Sequence, residues 1–157
     1  NGFLIREKEK KRKLILEKAV EKNIDKIYYN KLTKKEKVIN NDGVEIDYKD
    51  VTKPGEKPKA FAYCSDTAYF DELINCIKGV DLLYCETTFL EKDKDKADIT
   101  LHSTSIDAAT LAKKGRVKKL LIGHFSSRYD DNNDFIKEVA SIFENVVISE
   151  EGKKIDV

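Results

Sequence analysis

Four polar side chains in this sequence have the types and positions that catalysis requires. Asp66, Glu86 and His124 come at or shortly after the ends of short apolar runs, and His102 precedes an alanine-rich stretch. Such runs predict buried strands, and α/β proteins gather polar side chains at the carboxyl ends of their strands. Carboxylate and imidazole groups together bind zinc, and a carboxylate that orients an imidazole creates a general acid. The alternative is that these residues only cap helices and satisfy the edge of the core.

The elements that must position these residues follow from the hydrophobic pattern. After residue 59, the predicted strands are Ala60–Tyr63, Val80–Tyr84, Val117–Ile122, Val146–Ile148 and Lys154–Val157. The predicted helices are Phe70–Ile77, Ser105–Lys114 and Asn133–Glu144. This alternation predicts a layered α/β domain with a mixed or largely parallel sheet.

The first 59 residues have a different character. Gly2–Arg6 predicts a strand, Leu14–Asn23 a short amphipathic helix, and Asn41–Gly43 the turn of a hairpin. Both prolines lie in Thr52–Lys59, which predicts a loop. From Arg6 to Lys37 there are 13 Lys/Arg against 6 Asp/Glu, a net charge of +7. A basic segment of this kind favours a polyanionic partner, and a merely solvated lysine-rich face is the alternative.

Length and composition set further limits. A chain of 157 residues predicts one domain, and 40% apolar residues can form a real core. The three cysteines match neither a paired zinc motif nor an even disulfide framework, which favours a reducing cytoplasm. No signal-like or membrane-spanning apolar stretch occurs. The start at Asn1 suggests a chain that begins inside a larger protein.

Four motifs resemble those of a known family when they are taken in order. They are SDT at 65–67, DLLYCETTF at 81–89, LHST at 101–104 and KKLLIGHFSSRY at 118–129. Together they resemble the second half of ribonuclease Z, the tRNA 3′-processing endonuclease of the metallo-β-lactamase superfamily. The resemblance covers 60–157 well and 2–59 more loosely. It implies the second half of an αββα sandwich, with residues 1–59 holding a basic arm at about 7–37 and 60–157 forming the core domain.

The resemblance also implies roles for the four polar residues. Asp66 corresponds to the carboxylate that bridges two zinc ions, and His124 to a ligand of the second zinc. Glu86 and His102 correspond to the pair that protonates the leaving 3′-oxygen. The implied reaction is metal-assisted attack of water on a phosphodiester of precursor tRNA, with two zinc ions in each complete active site.

Substrate contacts and partners are implied in the same way. The residues expected to contact RNA phosphate are Arg128, Ser126, Ser103 and Thr104 near the active site, and Lys10, Lys11, Arg12, Lys13, Lys31, Lys34 and Lys35 on the arm. A complete family member usually works as a homodimer, so the resemblance implies a homodimer, and no membrane attachment is expected.

The sequence departs from the family pattern in several places. Cys85 stands where a histidine usually precedes the glutamate, and Ser65 replaces the glycine before the aspartate. The arm lacks the usual Gly-Pro-rich tip, and the H-x-H-x-D-H motif of the first half does not occur. We therefore expect the C-terminal half of the enzyme, inactive alone. The alternatives are another phosphodiesterase of the superfamily and a non-catalytic RNA-binding or dimerisation fragment.

Overall fold

The computed structural model describes residues 2–157. The strands, in chain order, are β1 (Gly2–Arg6), β2 (Lys13–Leu14), β3 (Val38–Ile39), β4 (Glu45–Ile46), β5 (Thr52–Lys53), β6 (Ala60–Cys64), β7 (Leu82–Glu86), β8 (Lys119–Gly123) and β9 (Val146–Ile148). The helices are α1 (Leu16–Glu21), α2 (Tyr29–Thr33), α3 (Tyr48–Val51), α4 (Glu72–Ile77), α5 (Lys94–Thr100), α6 (Ser105–Gly115) and α7 (Asn133–Ala140), with 3-10 turns at Lys26–Tyr28 and Glu91–Asp93. These elements divide into two compact units, the first formed by residues 2–7 and 59–157 and the second by residues 8–58.

The first unit is built on one sheet with the strand order β1-β6-β7-β8-β9. The four strands from β6 to β9 are parallel, and β1 pairs antiparallel with β6 at the edge. Cys64 lies opposite Cys85, and Glu86 lies opposite Gly123. Because the strands are parallel and in this register, their carboxyl ends meet at one edge of the sheet.

Helices cover one face of this sheet. Leu83 and Cys85 of β7 and Ile122 of β8 pack in the same buried cluster as Leu111 of α6 and Phe135 of α7. Helix α6 also carries alanines that are fully buried, and their small side chains let the helix lie close to the sheet. On the opposite face, the rings of Tyr63 and Tyr84 stack with their centroids 4.6 Å apart. The unit therefore has one helical layer and one sheet layer.

The second unit has a small core of its own. Its buried apolar residues are Ala19, Ile24, Leu32, Val38, Ile46 and Val51. The β3–β4 hairpin is closed by the side chain of Asn40, whose Oδ1 accepts hydrogen bonds from the backbone N–H groups of Asp42 and Val44. Strands β2 and β5 pair antiparallel in the same unit. The predicted hairpin is therefore confirmed, and it belongs to the same packed unit as the basic segment.

Some element boundaries differ from the predictions, and each difference has a local reason. The first helix begins at Leu16 because Lys13 and Leu14 pair with β5 as a strand. The predicted strand Lys154–Val157 is wrong, because the segment is mostly exposed and offers no apolar face to pair and bury. Strand β7 ends at Glu86, so this carboxylate belongs to the strand rather than to the loop after it.

The division between the two units also differs from the expected 1–59 and 60–157. Strand β1 pairs with β6, so the first residues join the first unit. Val38, Ile46 and Val51 share a core with Ala19 and Leu32, so the compact unit that contains most of the expected arm extends to residue 58. None of the helices found within residues 2–157 has the length and apolar character needed to cross a lipid bilayer.

Candidate metal and catalytic site

Three parallel strands place polar residues at one edge of the sheet. Glu86 is the last residue of β7, His124 directly follows β8, and Asp66 follows β6 by two residues. Backbone hydrogen bonds lock the neighbouring loops together: Thr87 N donates to Gly123 O at 2.8 Å, and Ser126 N donates to Thr88 O at 3.1 Å. The loop after β7 and the loop after β8 are therefore held side by side.

Asp66 and His124 both have left-handed backbone conformations. Their φ angles are +51° and +61°. Residues with a Cβ pay a steric cost in this region, and such strained positions cluster at functional sites. Both residues lie just beyond the end of a strand, where the left-handed backbone changes the direction of the chain.

The position of His102 is fixed by two helix ends. Helix α5 ends in the left-handed residue Leu101, and His102 N donates to Ala97 O at 2.9 Å. Helix α6 begins with a capping box, in which Thr104 Oγ1 accepts from Asp107 N and the Asp107 carboxylate accepts from Thr104 N. The imidazole of His102 is thus held between two rigid ends.

Glu86 and His102 form a close pair. His102 Nδ1 lies 2.8 Å from Glu86 Oε2, and the Glu86 side chain has no exposed surface. The carboxylate also accepts hydrogen bonds from Thr67 N on Oε1 and from the hydroxyl of Thr88 on Oε2, both at 2.5 Å. Because buried carboxylates need such partners, this set supports an ionised Glu86 that orients the imidazole.

A second cluster lies beside this pair. His124 Nε2 is 3.4 Å from Asp66 Oδ1, and the rings of His102 and His124 are 5.4 Å apart. One ligand atom from each of Asp66, His102 and His124 can be chosen so that all lie within 4.8 Å of one another. Two ligands on one tetrahedral zinc ion lie about 3.4 Å apart, given bond lengths of roughly 2.0–2.2 Å. The Asp66–His124 distance therefore fits a shared zinc ion, and the nitrogen and oxygen donors suit that metal.

The neighbouring cysteine is not a candidate ligand. Cys85 is fully buried, and burial raises the pKa of its thiol well above the ordinary range. A neutral thiol inside the apolar cluster is inert. Cys85, which stands at the position of a family histidine, therefore serves packing here.

Two of the predicted RNA contacts lie on the loop after β8. The guanidinium of Arg128 lies 5.0 Å from the centroid of the Phe89 ring, and its Nε donates to Ser126 Oγ at 3.1 Å. The loop itself is anchored by Tyr129, whose hydroxyl donates to Asp93 at 2.6 Å and accepts from Leu90 N. Arg128 is exposed and held by its aromatic support, which suits phosphate binding.

The other two predicted contacts near the site lie inside the fold. Ser103 and Thr104 are fully buried. Ser103 Oγ donates to Thr67 O at 2.7 Å, and Thr104 Oγ1 donates to Glu91 at 2.6 Å while capping α6. Both hydroxyls are used within the fold, so neither is available to a phosphate.

The predicted contacts in the second unit divide into two groups. Arg12 is structural, because its Nε donates to Thr52 Oγ1 at 2.6 Å and its guanidinium lies over the Tyr48 ring at 5.1 Å. The lysines are exposed, and some of them pair with acids: Lys10 and Lys13 with Glu56, and Lys35 with Glu9. An open cleft of about 260 Å³ is lined by Glu9, Lys10, Lys11, Arg12, Thr33, Lys34 and Lys35. The cleft gathers most of the predicted cations on one surface, whereas Lys31 lies elsewhere, beside Tyr28.

Sequence reasoning did not single out Thr88. Its hydroxyl lies 2.5 Å from Glu86 Oε2, 2.8 Å from His124 Nδ1 and 3.4 Å from His102 Nδ1. In the sequence, Thr88 is only a hydroxyl residue two positions after the predicted acid Glu86, and Thr87 is a hydroxyl residue one position after it. The sequence therefore does not distinguish the two. Strand pairing decides which of the two threonines meets the imidazoles.

Solved structures define the class of protein. The metallo-β-lactamase fold protein YhfI from Bacillus subtilis matches with a TM-score of 0.57 at 24% identity, covering 66% of this chain and 44% of that chain. The short form of human tRNase Z matches with a TM-score of 0.50 at 26% identity, covering 71% of this chain and 36% of that chain. The chain therefore has a metallo-β-lactamase type of fold, as the motifs predicted, and this fold family implies a metal cofactor.

A curated relative identifies the family within this class. Ribonuclease Z from Parabacteroides distasonis is 38% identical over 156 residues, which is 99% of this chain and 51% of the relative. Over the length that it spans, the chain belongs to the ribonuclease Z family. It spans about half the length of the curated relatives it matches. No protein-family model matches the chain.

Proposed function

We propose that this chain is the C-terminal half of a zinc-dependent endoribonuclease that removes the 3′ trailer of precursor tRNA. The observation that carries the proposal is the convergence of Asp66, Glu86, His102 and His124 at one sheet edge, in a chain of the ribonuclease Z family. We call these four residues the strand-edge cluster. Each belongs to one of the family-like motifs, and each lies within reach of another member.

Asp66 and His124 are proposed as the metal ligands of this half. Their 3.4 Å separation supports a shared ion, and the two oxygens of Asp66 allow it to bridge a pair of ions. When bound, zinc would stabilise negative charge that develops at phosphorus and lower the pKa of water. Two zinc ions need more ligands than this half carries, since the sequence has only two histidines. The first half of the protein is therefore proposed to supply the remainder.

Glu86 and His102 are proposed as the pair that delivers a proton. The buried carboxylate accepts from Nδ1 of His102 and orients the imidazole, whose Nε2 would carry the proton for a leaving oxygen. A proton donated to the 3′-oxygen lets the P–O bond break without releasing an alkoxide. The closeness of His102 to Asp66 and His124 supports this assignment, because acid and metal must act on one phosphodiester.

Substrate binding is proposed to use charge outside the cluster. Arg128, supported on Phe89, would contact an RNA phosphate near the cleavage site. Lys11, Lys34 and neighbouring cations in the cleft of the second unit would hold another part of the tRNA backbone. A second cationic surface of this kind favours a tRNA substrate over a small phosphodiester. A cytoplasmic homodimer is proposed from the family resemblance, and free cysteines in the described chain are compatible with it.

A chimera tests the proposed function. This chain replaces the matching half of the Parabacteroides distasonis ribonuclease Z, and zinc content and precursor-tRNA cleavage are measured. We expect two zinc ions per active site and removal of the 3′ trailer by the chimera, and neither property for this chain alone. A folded, zinc-loaded chimera that hydrolyses small phosphodiesters but leaves precursor tRNA intact would favour another phosphodiesterase. Tight tRNA binding without any hydrolysis would favour a binding module.

A further inference from the structure

Thr88 occupies a central place in the strand-edge cluster. Its side chain is almost completely buried, and its backbone is fixed because its carbonyl accepts from Ser126 N. Its Oγ1 lies within hydrogen-bond distance of both Glu86 Oε2 and His124 Nδ1, at 2.5 and 2.8 Å. One hydroxyl thus joins the carboxylate of the acid pair to a proposed metal ligand.

The number of protons on each group determines which atom donates in the two hydrogen bonds of Thr88. A threonine hydroxyl has one proton and two lone pairs, and an ionised carboxylate can only accept. The Thr88 proton must therefore point to Glu86, which is also the shorter of the two contacts. A lone pair of Oγ1 then faces His124 Nδ1, so Nδ1 must be the donor. A neutral His124 with its proton on Nδ1 has an unprotonated Nε2, and that atom lies 3.4 Å from Asp66.

We propose that the Thr88 hydroxyl is a positioning group that holds the His124 proton on Nδ1 and presents the Nε2 lone pair beside Asp66. Glu86 consequently serves two imidazoles: it accepts directly from His102 and acts on His124 through Thr88. Metals bind the unprotonated nitrogen of a neutral imidazole, and the hydrogen bond of the other nitrogen sets which one that is. That this lone pair serves a metal rests on the proposed function, whereas the tautomer of His124 does not.

Nitrogen-15 NMR of the histidine side chains tests the tautomer without any metal. The chain has only two histidines, and a His102→Gln variant assigns their signals. Spectra are recorded at about pH 8.5, roughly two units above the usual histidine pKa. We expect the Nδ1–H form of His124 in the unchanged chain and in Thr88→Ser, which keeps the hydroxyl. Thr88→Val, which keeps the shape, should shift His124 toward the Nε2–H form.

Thr87→Val is the matched control. Thr87 is also buried and is adjacent in sequence, but its hydroxyl donates to Gly123 O at 3.3 Å and contacts neither imidazole. The Thr87→Val variant should leave the His124 tautomer unchanged. An Nε2–H form in the unchanged chain, or an unaltered tautomer in a folded Thr88→Val, would overturn the proposal. If Thr88→Val does not fold, Thr88→Ala gives the same comparison. The spectrum of the unchanged chain alone shows whether the His124 proton is on Nδ1.

Zinc binding gives a second readout that separates the two proposals. Zinc alone is titrated into the chimera against a competing chelator. We expect Thr88→Val to weaken binding roughly 10- to 100-fold and Thr88→Ser to change it little, as is usual for partners of metal-binding histidines. Unchanged zinc affinity in Thr88→Val would refute the positioning role. If the unsubstituted chimera binds no zinc while the tautomer behaves as expected, the proposed function fails and the hydrogen-bond assignment stands.

Discussion

The strand-edge cluster and the second unit carry their proposed functions in opposite ways. The cluster depends on few side chains at fixed distances, with Glu86 fully buried and His102 held between two helix ends. The second unit has 15 Lys/Arg against 10 Asp/Glu, and most of its cations are exposed. Short contacts to a buried carboxylate are sensitive to each atom, whereas screened surface charges act as a sum. Single substitutions should therefore abolish function in the first region and only reduce it in the second.

The largest expected effect comes from Glu86→Gln in the chimera. The amide retains the size of the side chain but cannot stabilise a protonated His102, so precursor-tRNA cleavage should fall about 10²- to 10⁴-fold. Single-turnover cleavage with zinc saturated measures the loss, and RNA affinity should stay unchanged. A variant with nearly full cleavage would remove the distinction between the two regions, because the most buried polar contact would then be dispensable.

Leu32→Ala tests whether the second unit has a core of its own. Leu32 is fully buried among the six apolar residues of that core, and its truncation should cost about 2–5 kcal/mol. A core this small has little stability in reserve, so residues 8–58 should lose most of their amide hydrogen-exchange protection. Protection in β7 and β8 should persist. Equal loss in both units would mean that they unfold together.

Charge removal in the cleft should have a graded effect. Lys11→Gln with Lys34→Gln should weaken tRNA binding and reduce the slope of log K against log salt by about 1.5, if each lysine neutralises one phosphate. The matched control, Lys18→Gln with Lys26→Gln, removes two exposed charges of the same unit from outside the cleft. Binding titrations across a range of salt concentrations compare the two. If the two double variants weaken tRNA binding equally, the net charge of the unit matters and the cleft is not a specific binding surface.

The smallest expected effect concerns pH and lies in the first unit, away from the cluster. The hydrogen bond from Lys118, together with that from Ala60 N, holds the pKa of Asp81 below its usual range. The ionised form therefore stabilises the fold above the unfolded-state pKa, and this contribution disappears as pH falls through the folded-state pKa. Asp81→Asn should lower the unfolding free energy by at most about 1 kcal/mol at pH 7, because Lys118 is exposed.

Denaturant melts of both proteins between pH 7 and roughly pH 3 measure this difference. The unfolding free energies of the two proteins should converge as the pH falls. A difference in unfolding free energy that stays the same at every pH would mean that the Asp81 carboxylate acts through shape and hydrogen bonding alone, without its charge.

Local sequence signals were sufficient where a structure depends on near neighbours. Helix α6 was predicted almost to the residue, because Thr104 and Asp107 form its start and Gly115 marks its end. The hairpin around Asp42 was predicted for the same reason. The motifs around Glu86 and His124 also indicated a metal-dependent hydrolase fold, since those residue types in that order are specific as a set.

The roles of hydroxyls and cations could not be deduced locally. Ser103 and Thr104 have the composition of a phosphate site, yet packing buries both and uses their hydroxyls. Arg12 looks like its basic neighbours, yet Thr52 and Tyr48 hold it inside the second unit. In each case the role of the side chain depends on a hydrogen-bond partner that is distant in sequence, or on burial that only the folded chain produces.

The sequence by itself therefore determined the main strands of the first unit and the carboxylates and imidazoles that stand at or near their ends. The tertiary structure alone decided which of these groups touch. Glu86, Thr88 and His124 meet because parallel strands in one register bring their carboxyl ends together, and His102 reaches them from the junction of α5 and α6. That register depends on packing between segments far apart in the chain, which no local pattern of residues specifies.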